Sequence, residues 1–189
     1  MKVEPWVAVL PLALQYNLVG YVREKLAISP QIIKDKKYRP LLDYALVPPA
    51  DVGYFRLSSE LVLMLLKHGA NPNRRYKGQS PWECALHWHN KSQHNHQVSE
   101  TPLSRERQLE RIKIFRHLLE YGANPNATET QLITEAKSEH QPQSAWSIIT
   151  KSFIEDYPTE TFELQELLKK RGINQGGSFL RHFKLLLQD

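Results

Sequence analysis

Two segments of this chain repeat one another. Leu65–Asn73 reads LLKHGANPN and Leu118–Asn126 reads LLEYGANPN, identical at seven of nine positions and 53 residues apart. Agreement of this length in a chain of 189 residues does not arise by chance. Self-similarity of this kind marks architectures made by stacking one small unit. A looser recurrence reinforces it. Pro40–Leu46 (PLLDYAL) and Ser80–Leu86 (SPWECAL) end in the same Ala-Leu pair, and an acidic residue, Asp43 or Glu83, stands two places before the alanine in both.

The repeated strings have mechanical readings. The leucine pair ends a helix, and Gly69 or Gly122 takes the position past its end, where a left-handed backbone costs glycine little. Asn-Pro cannot continue the helix, because proline lacks the amide hydrogen and restricts the residue before it. A new helix then opens with Ser80 as cap and Pro81 at the first helical position. Ala85 is small and lets a neighbouring helix approach. The unit is therefore helix, glycine stop, turn, capped helix.

These residues resemble the ankyrin repeat, whose unit runs Thr-Pro-Leu-His-x-Ala, then Val-x-x-Leu-Leu, then Gly-Ala-(Asp/Asn)-Pro-Asn. Both GANPN strings match the last part, and Ser80, Pro81 and Ala85 match the first; Trp82 stands for the leucine and Glu83 for the histidine. The RPLLDYAL and SPWECAL variants are most similar to the divergent ankyrin repeats of filamentous-fungal proteins. The resemblance implies an all-α, ankyrin-type helical solenoid of three to four repeats, degenerate at both ends. It implies non-catalytic protein–protein recognition through turn tips and a concave helical face. Replacing the histidine by Glu83 removes a hydrogen bond that the family uses between neighbouring turns.

The whole chain, 1–189, reads as one such domain. The repeats are clearest over 39–127, and 127–189 reads as a degenerate repeat and a terminal helix. Residues 11–26 read as a worn first repeat in which Pro11 opens a helix and Val22 and Leu26 belong to the next. The second repeat has helices at about Pro40–Leu46 and Ser59–His68, capped by Ser58 or Ser59. In the third, Ala85 and Gly122 lie 37 residues apart, against about 16 in a family unit of about 33. About 20 polar residues, roughly Asn90–Arg107, are thus expected as a surface loop. The helix resumes with Leu109, Ile112, Phe115, Leu118 and Leu119 on one face. Beyond Asn126, helical spacing returns at Ala145–Phe153, at Phe162–Leu168 after Pro158, and at Phe179–Leu186.

Little in the chain points to catalysis. The one cysteine, Cys84, allows no intrachain disulfide and fits a reducing compartment, cytoplasmic or nuclear. No apolar run approaches the roughly 20 residues needed to cross a bilayer, and no signal peptide is expected. There is no Gly-x-Ser-x-Gly, phosphate-binding glycine loop or His-Glu-x-x-His. Cys84 reads as a packed thiol. His87, His89, His94 and His96 crowd one stretch, but no second ligand cluster follows, and the expected reading is a solvated insertion without metal. No cofactor and no enzyme activity are expected. Trp82, Trp88 and Trp146 are expected to fill core, and Trp6 to cover the N-terminal edge.

The net charge of +5 belongs to the first half, with 13 Lys and Arg against 8 Asp and Glu in residues 1–100. Lys36, Lys37, Tyr38 and Arg39 precede one first helix; Arg74, Arg75, Tyr76 and Lys77 precede the next. In an ankyrin array both groups fall in projecting turns that stack side by side, giving one cationic, tyrosine-bearing patch. Charged tips are the ordinary consequence of wetness. The functional alternative is a contact with an acidic protein, since Tyr and Arg anchor interfaces. Nucleic acid or another acidic polymer is a less favoured partner, and a C-terminal recognition fragment of a larger signalling protein is another reading. An apolar, unfinished N-terminal face is the feature that marks the fragment reading. The chain is expected to be a monomer.

Overall fold

A computed structural model describes residues 6–35, 39–47, 57–94, 102–125 and 145–173. They form eight α-helices: α1 Trp6–Gln15, α2 Val19–Ile28, α3 Leu41–Leu46, α4 Ser59–Lys67, α5 Pro81–His94, α6 Pro102–Glu120, α7 Ala145–Phe153 and α8 Pro158–Lys170, with a 3-10 turn at Pro30–Lys34. The described residues contain no strand, only an isolated bridge between Tyr76 and Gln79.

The helices pack in two rows. The odd helices touch in chain order, α1 on α3, α3 on α5 and α5 on α7; the even helices do the same, α2 on α4, α4 on α6 and α6 on α8. Rungs join the rows at α1–α2, α3–α4, α5–α6 and α7–α8. Each helical pair therefore buries its apolar stripe against the next pair. Leu61, Val62 and Leu65 of α4 and Ile112, Phe115, Leu118 and Leu119 of α6 are fully or almost fully buried in one continuous core.

Three of the even helices, α4, α6 and α8, stop by a common device. Gly69, Gly122 and Gly172 have φ of +92°, +93° and +88°. After α4, the amides of Gly69 and Ala70 donate to the carbonyls of Leu66 and Leu65. After α6, Gly122 and Ala123 donate to Leu119 and Leu118, and after α8, Gly172 and Ile173 donate to Lys169 and Leu168. Such paired bonds satisfy carbonyls that a helix end otherwise leaves open. The two GANPN segments also touch. The Asn73 side chain donates to the Gly122 carbonyl at 2.7 Å and accepts from the Asn124 amide at 2.7 Å. Arg171 repeats the link one pair later, donating to the carbonyls of Leu119 and Glu120 at 2.9 and 3.2 Å.

Several expected elements fall where the sequence places them. Ser58 caps α4, its hydroxyl accepting from the Leu61 amide at 3.3 Å, and α7 and α8 occupy the two stretches expected beyond Asn126. Two differ. α1 starts at Trp6 and runs through Pro11 instead of opening there. The Leu10, Ala13 and Leu14 stripe is buried, and its packing outweighs one missing backbone bond. The expected loop at Asn90–Arg107 is drawn into helix at both ends, as α5 reaches His94 and α6 begins at Pro102. Lys, Gln, Glu and Arg are good helix formers that need no burial, and proline suits the first turn. The expected terminal helix at Phe179–Leu186 lies outside the described residues.

Candidate partner-binding turns

The turn between α4 and α5 is built by local chemistry. Asn71 Oδ1 accepts from the Asn73 amide at 2.8 Å, closing a side-chain turn. Tyr76 and Gln79 then exchange backbone hydrogen bonds at 2.8 and 3.1 Å. The two residues between them, Lys77 and Gly78, have φ of +50° and +85°. That is the geometry of the tight two-residue hairpin whose twist matches its flanks. Both Tyr76 and Lys77 are exposed at this tip.

The start of α5 is locked beneath it. The Ser80 hydroxyl accepts from the Glu83 amide at 3.2 Å, and Glu83 Oε2 accepts from the Ser80 amide at 2.6 Å, a reciprocal capping box. Glu83 is buried, and its second oxygen takes a charge-assisted bond from Arg75 Nη2 at 3.0 Å. Arg75 also reaches back to the Gly78 carbonyl, tying the hairpin to the helix.

Asp43, at the matching place on α3, is also buried. Its nearest cation is Arg39, with Nε 3.7 Å from Oδ2. Burial pushes the Asp43 carboxyl up to about 6, against the opposing pull of Arg39 and, more weakly, Arg74. The Arg39 guanidinium lies 4.5 Å from the centre of the Tyr44 ring and 5.8 Å from that of Tyr76, while Lys77 Nζ stands 5.8 Å from the Tyr76 ring. Arg74 donates to the Asp35 carbonyl at 2.8 Å.

Of the residues singled out by sequence, the structure thus brings Arg39, Arg74 and Tyr76 together across two successive turns, with Arg75 and Lys77 on the second. Lys36, Lys37 and Tyr38 lie outside the described residues. Three of the arginines also have jobs inside the fold. Arg39 faces Asp43, Arg75 faces Glu83, and Arg74 ties the second turn to the first. Sequence reasoning treated all three as surface charge. The signal was present, for the same alignment that pairs Asp43 with Glu83 puts a buried carboxylate a short distance after a basic turn in both repeats. Ser80-x-x-Glu83 is also a legible capping box. A cavity of about 30 Å³ between Pro11, Ile33, Arg39, Leu41, Tyr44 and Arg74 has room for about one water.

The other singled-out groups are dispersed. His89 is buried, its ring 4.7 Å from that of Phe153 and 5.6 Å from that of Phe115. Burial, with a contribution from Arg111, pushes it down to about 3. His87 and Trp88 are half-buried and meet edge to face at 5.6 Å on α5; His96 and the side chain of His94 lie outside the described residues. No three His, Cys, Asp or Glu side chains converge among the described residues. Cys84 is buried, and burial pushes its thiol up to about 12. Trp82 is fully buried against Phe115, whereas the side chains of Trp6 and Trp146 lie outside the described residues. No helix among the described residues is long and apolar enough to cross a membrane. No family model, curated protein or solved structure matches the chain.

Proposed function

We propose that the chain is an ankyrin-type helical solenoid and that it binds an acidic protein through its inter-repeat turns and the face of its odd helices. The two ordered rows of helices and the repeated glycine stops support the architecture. The observation that carries the binding role is the hairpin tip. Tyr76 and Lys77 project from a turn held from below by the Arg75–Glu83 pair and by the contact of Arg39 with Tyr76. A tip ordered before binding loses less entropy on binding, and tyrosine is a frequent anchor of interfaces.

The test separates tip from support. Tyr76→Ala and Lys77→Glu should leave the melting temperature nearly unchanged, yet lower affinity for the partner isolated from native extract by at least about tenfold, mostly at low salt. Arg75→Glu should behave differently and lower stability by about 1–3 kcal/mol, because it sets a second carboxylate against buried Glu83; the partial exposure of Arg75 keeps the figure below that of a fully buried pair. Lys113→Glu on α6 serves as the surface control. Unchanged affinity in both tip variants removes the turns from the site. A salt dependence steep enough for many phosphate contacts, with competition by nucleic acid, contradicts a protein partner.

A further inference from the structure

We propose that the outer face of α1 is a self-association surface on which a second copy of this chain packs. Val9, Leu12 and Tyr16 stand three and four residues apart, on one stripe of the helix. That stripe faces away from Leu10, Ala13 and Leu14, which enter the core shared with α2 and α3. Together with Leu18, just before α2, and Ile28 at its end, these side chains are 45–62% exposed. The far end of the rows differs. The outer surface of α8 presents Thr159, Glu163 and Lys170 to solvent beside one apolar ring, Phe162, which is 46% exposed. The exposed stripe of α1 carries no such charged residue.

Three observations select a second copy as the occupant. The first is charge. From Trp6 to Val22 the chain carries no Lys, Arg, Asp or Glu, so two copies meet here without like-charge repulsion, and an acidic or basic partner finds no complement. The second is symmetry. A twofold axis between Leu12 and Ala13 maps position 9 onto position 16, setting two α1 helices antiparallel with Leu12 close to its own copy. Val9 then faces Tyr16 of the second copy, small against large, as a self-complementary twofold interface requires. The third is area. Covering all five of these half-exposed side chains at once would bury on the order of 500 Å² per copy, or about 1,000 Å² across the pair, the lower bound for a specific interface. On this proposal the chain forms a reversible dimer, where the sequence reading expects a monomer. The proposal does not depend on the partner role of the basic turns, which can fail while the dimer stands.

The experiment is sedimentation equilibrium of the whole chain over a range of concentrations. The wild type should dimerise with a Kd on the order of 10 μM. Leu12→Glu should weaken this at least tenfold without changing the melting temperature, and Tyr16→Ser, a milder change, should do so too if Leu12→Glu fails to fold. Val9→Tyr alone should weaken the dimer, and the swap Val9→Tyr/Tyr16→Val should restore it to within about threefold, a result that only facing residues give. A wild type that stays monomeric to millimolar concentration overturns the proposal. So does a dimer that a well-folded Leu12→Glu or Tyr16→Ser leaves intact, or a swap that rescues nothing.

Discussion

Phe115→Ala is expected to lower the stability of the chain by about 3–5 kcal/mol. The ring is almost completely buried on α6 and lies where three helices meet. Its edge contacts reach Trp82 of α5 at 5.6 Å, His89 of α5 at 5.6 Å and Phe153 of α7 at 6.3 Å. Truncation loses the transfer energy of the ring and leaves a cavity that three packed helices can close only in part. It also removes aromatic pairs worth about 0.5–1.5 kcal/mol beyond area. A chain of this size loses about 2–4 °C per kcal/mol, so the midpoint should fall by about 10 °C. Urea titration followed by tryptophan fluorescence checks it, with Tyr121→Ala, exposed at the end of α6, expected to cost less than about 1 kcal/mol. Equal effects in the two variants contradict the packing described.

Acid should destabilise the fold through His89, and Asp43 should partly hide the effect. The His89 imidazole sits at about 3 in the fold, against about 6.5 in an unfolded chain. Below about 6.5 the unfolded chain takes a proton that the folded chain refuses. Stability present above that pH is lost as pH falls toward 3, by roughly 3 kcal/mol at about pH 4. Asp43 has the opposite sign. Its carboxyl is raised from 3.8 to about 6, so its contribution is fully present below 3.8 and is lost as pH rises through 6. Between about pH 6 and 4 the two offset one another. His89→Leu should therefore be flat, or gain stability, over that interval, while Asp43→Asn should lose stability more steeply than wild type. Denaturation midpoints at about pH 7, 5.5 and 4 measure both slopes. Equal slopes in wild type and His89→Leu contradict the burial of a neutral imidazole.

What was legible in the sequence was what local chemistry writes into it. Glycine past a leucine pair, asparagine before proline, and serine before a helix each act over a few residues, and Gly69, Gly122, Ser58 and Ser80 hold the places these rules assign. The third glycine stop, Gly172, escaped notice because LLKKRGI places one leucine where the other copies have two, although the backbone bonds are the same. The helical ends of the insertion were missed because apolar periodicity sees only buried faces, and these turns are charged and polar. At the candidate site the basic residues were visible, but their internal partners were not. Exposure was inferred from residue type, while burial of Asp43 and Glu83 depends on helices brought in from elsewhere in the chain. The exposed apolar stripe of α1 alternates with a buried one, and only packing distinguishes them.

The central claim is that the two GANPN segments are consecutive turns of one stacked array, and a disulfide tests it most directly. Asn73 Oδ1 accepts from the Asn124 amide at 2.7 Å, which sets the two residues side by side; a bridge between Asn73→Cys and Asn124→Cys forms where the Cα atoms stand about 4.4–6.8 Å apart. The native Cys84 is buried with its thiol raised to about 12, so it competes poorly. Under mild oxidation the double variant should form an intrachain disulfide rapidly and completely, shift on a non-reducing gel, and melt at a higher temperature than its reduced form. Persistence of two free, reactive thiols, or bridging only between different molecules, would contradict the stacked array and the turn surface built on it.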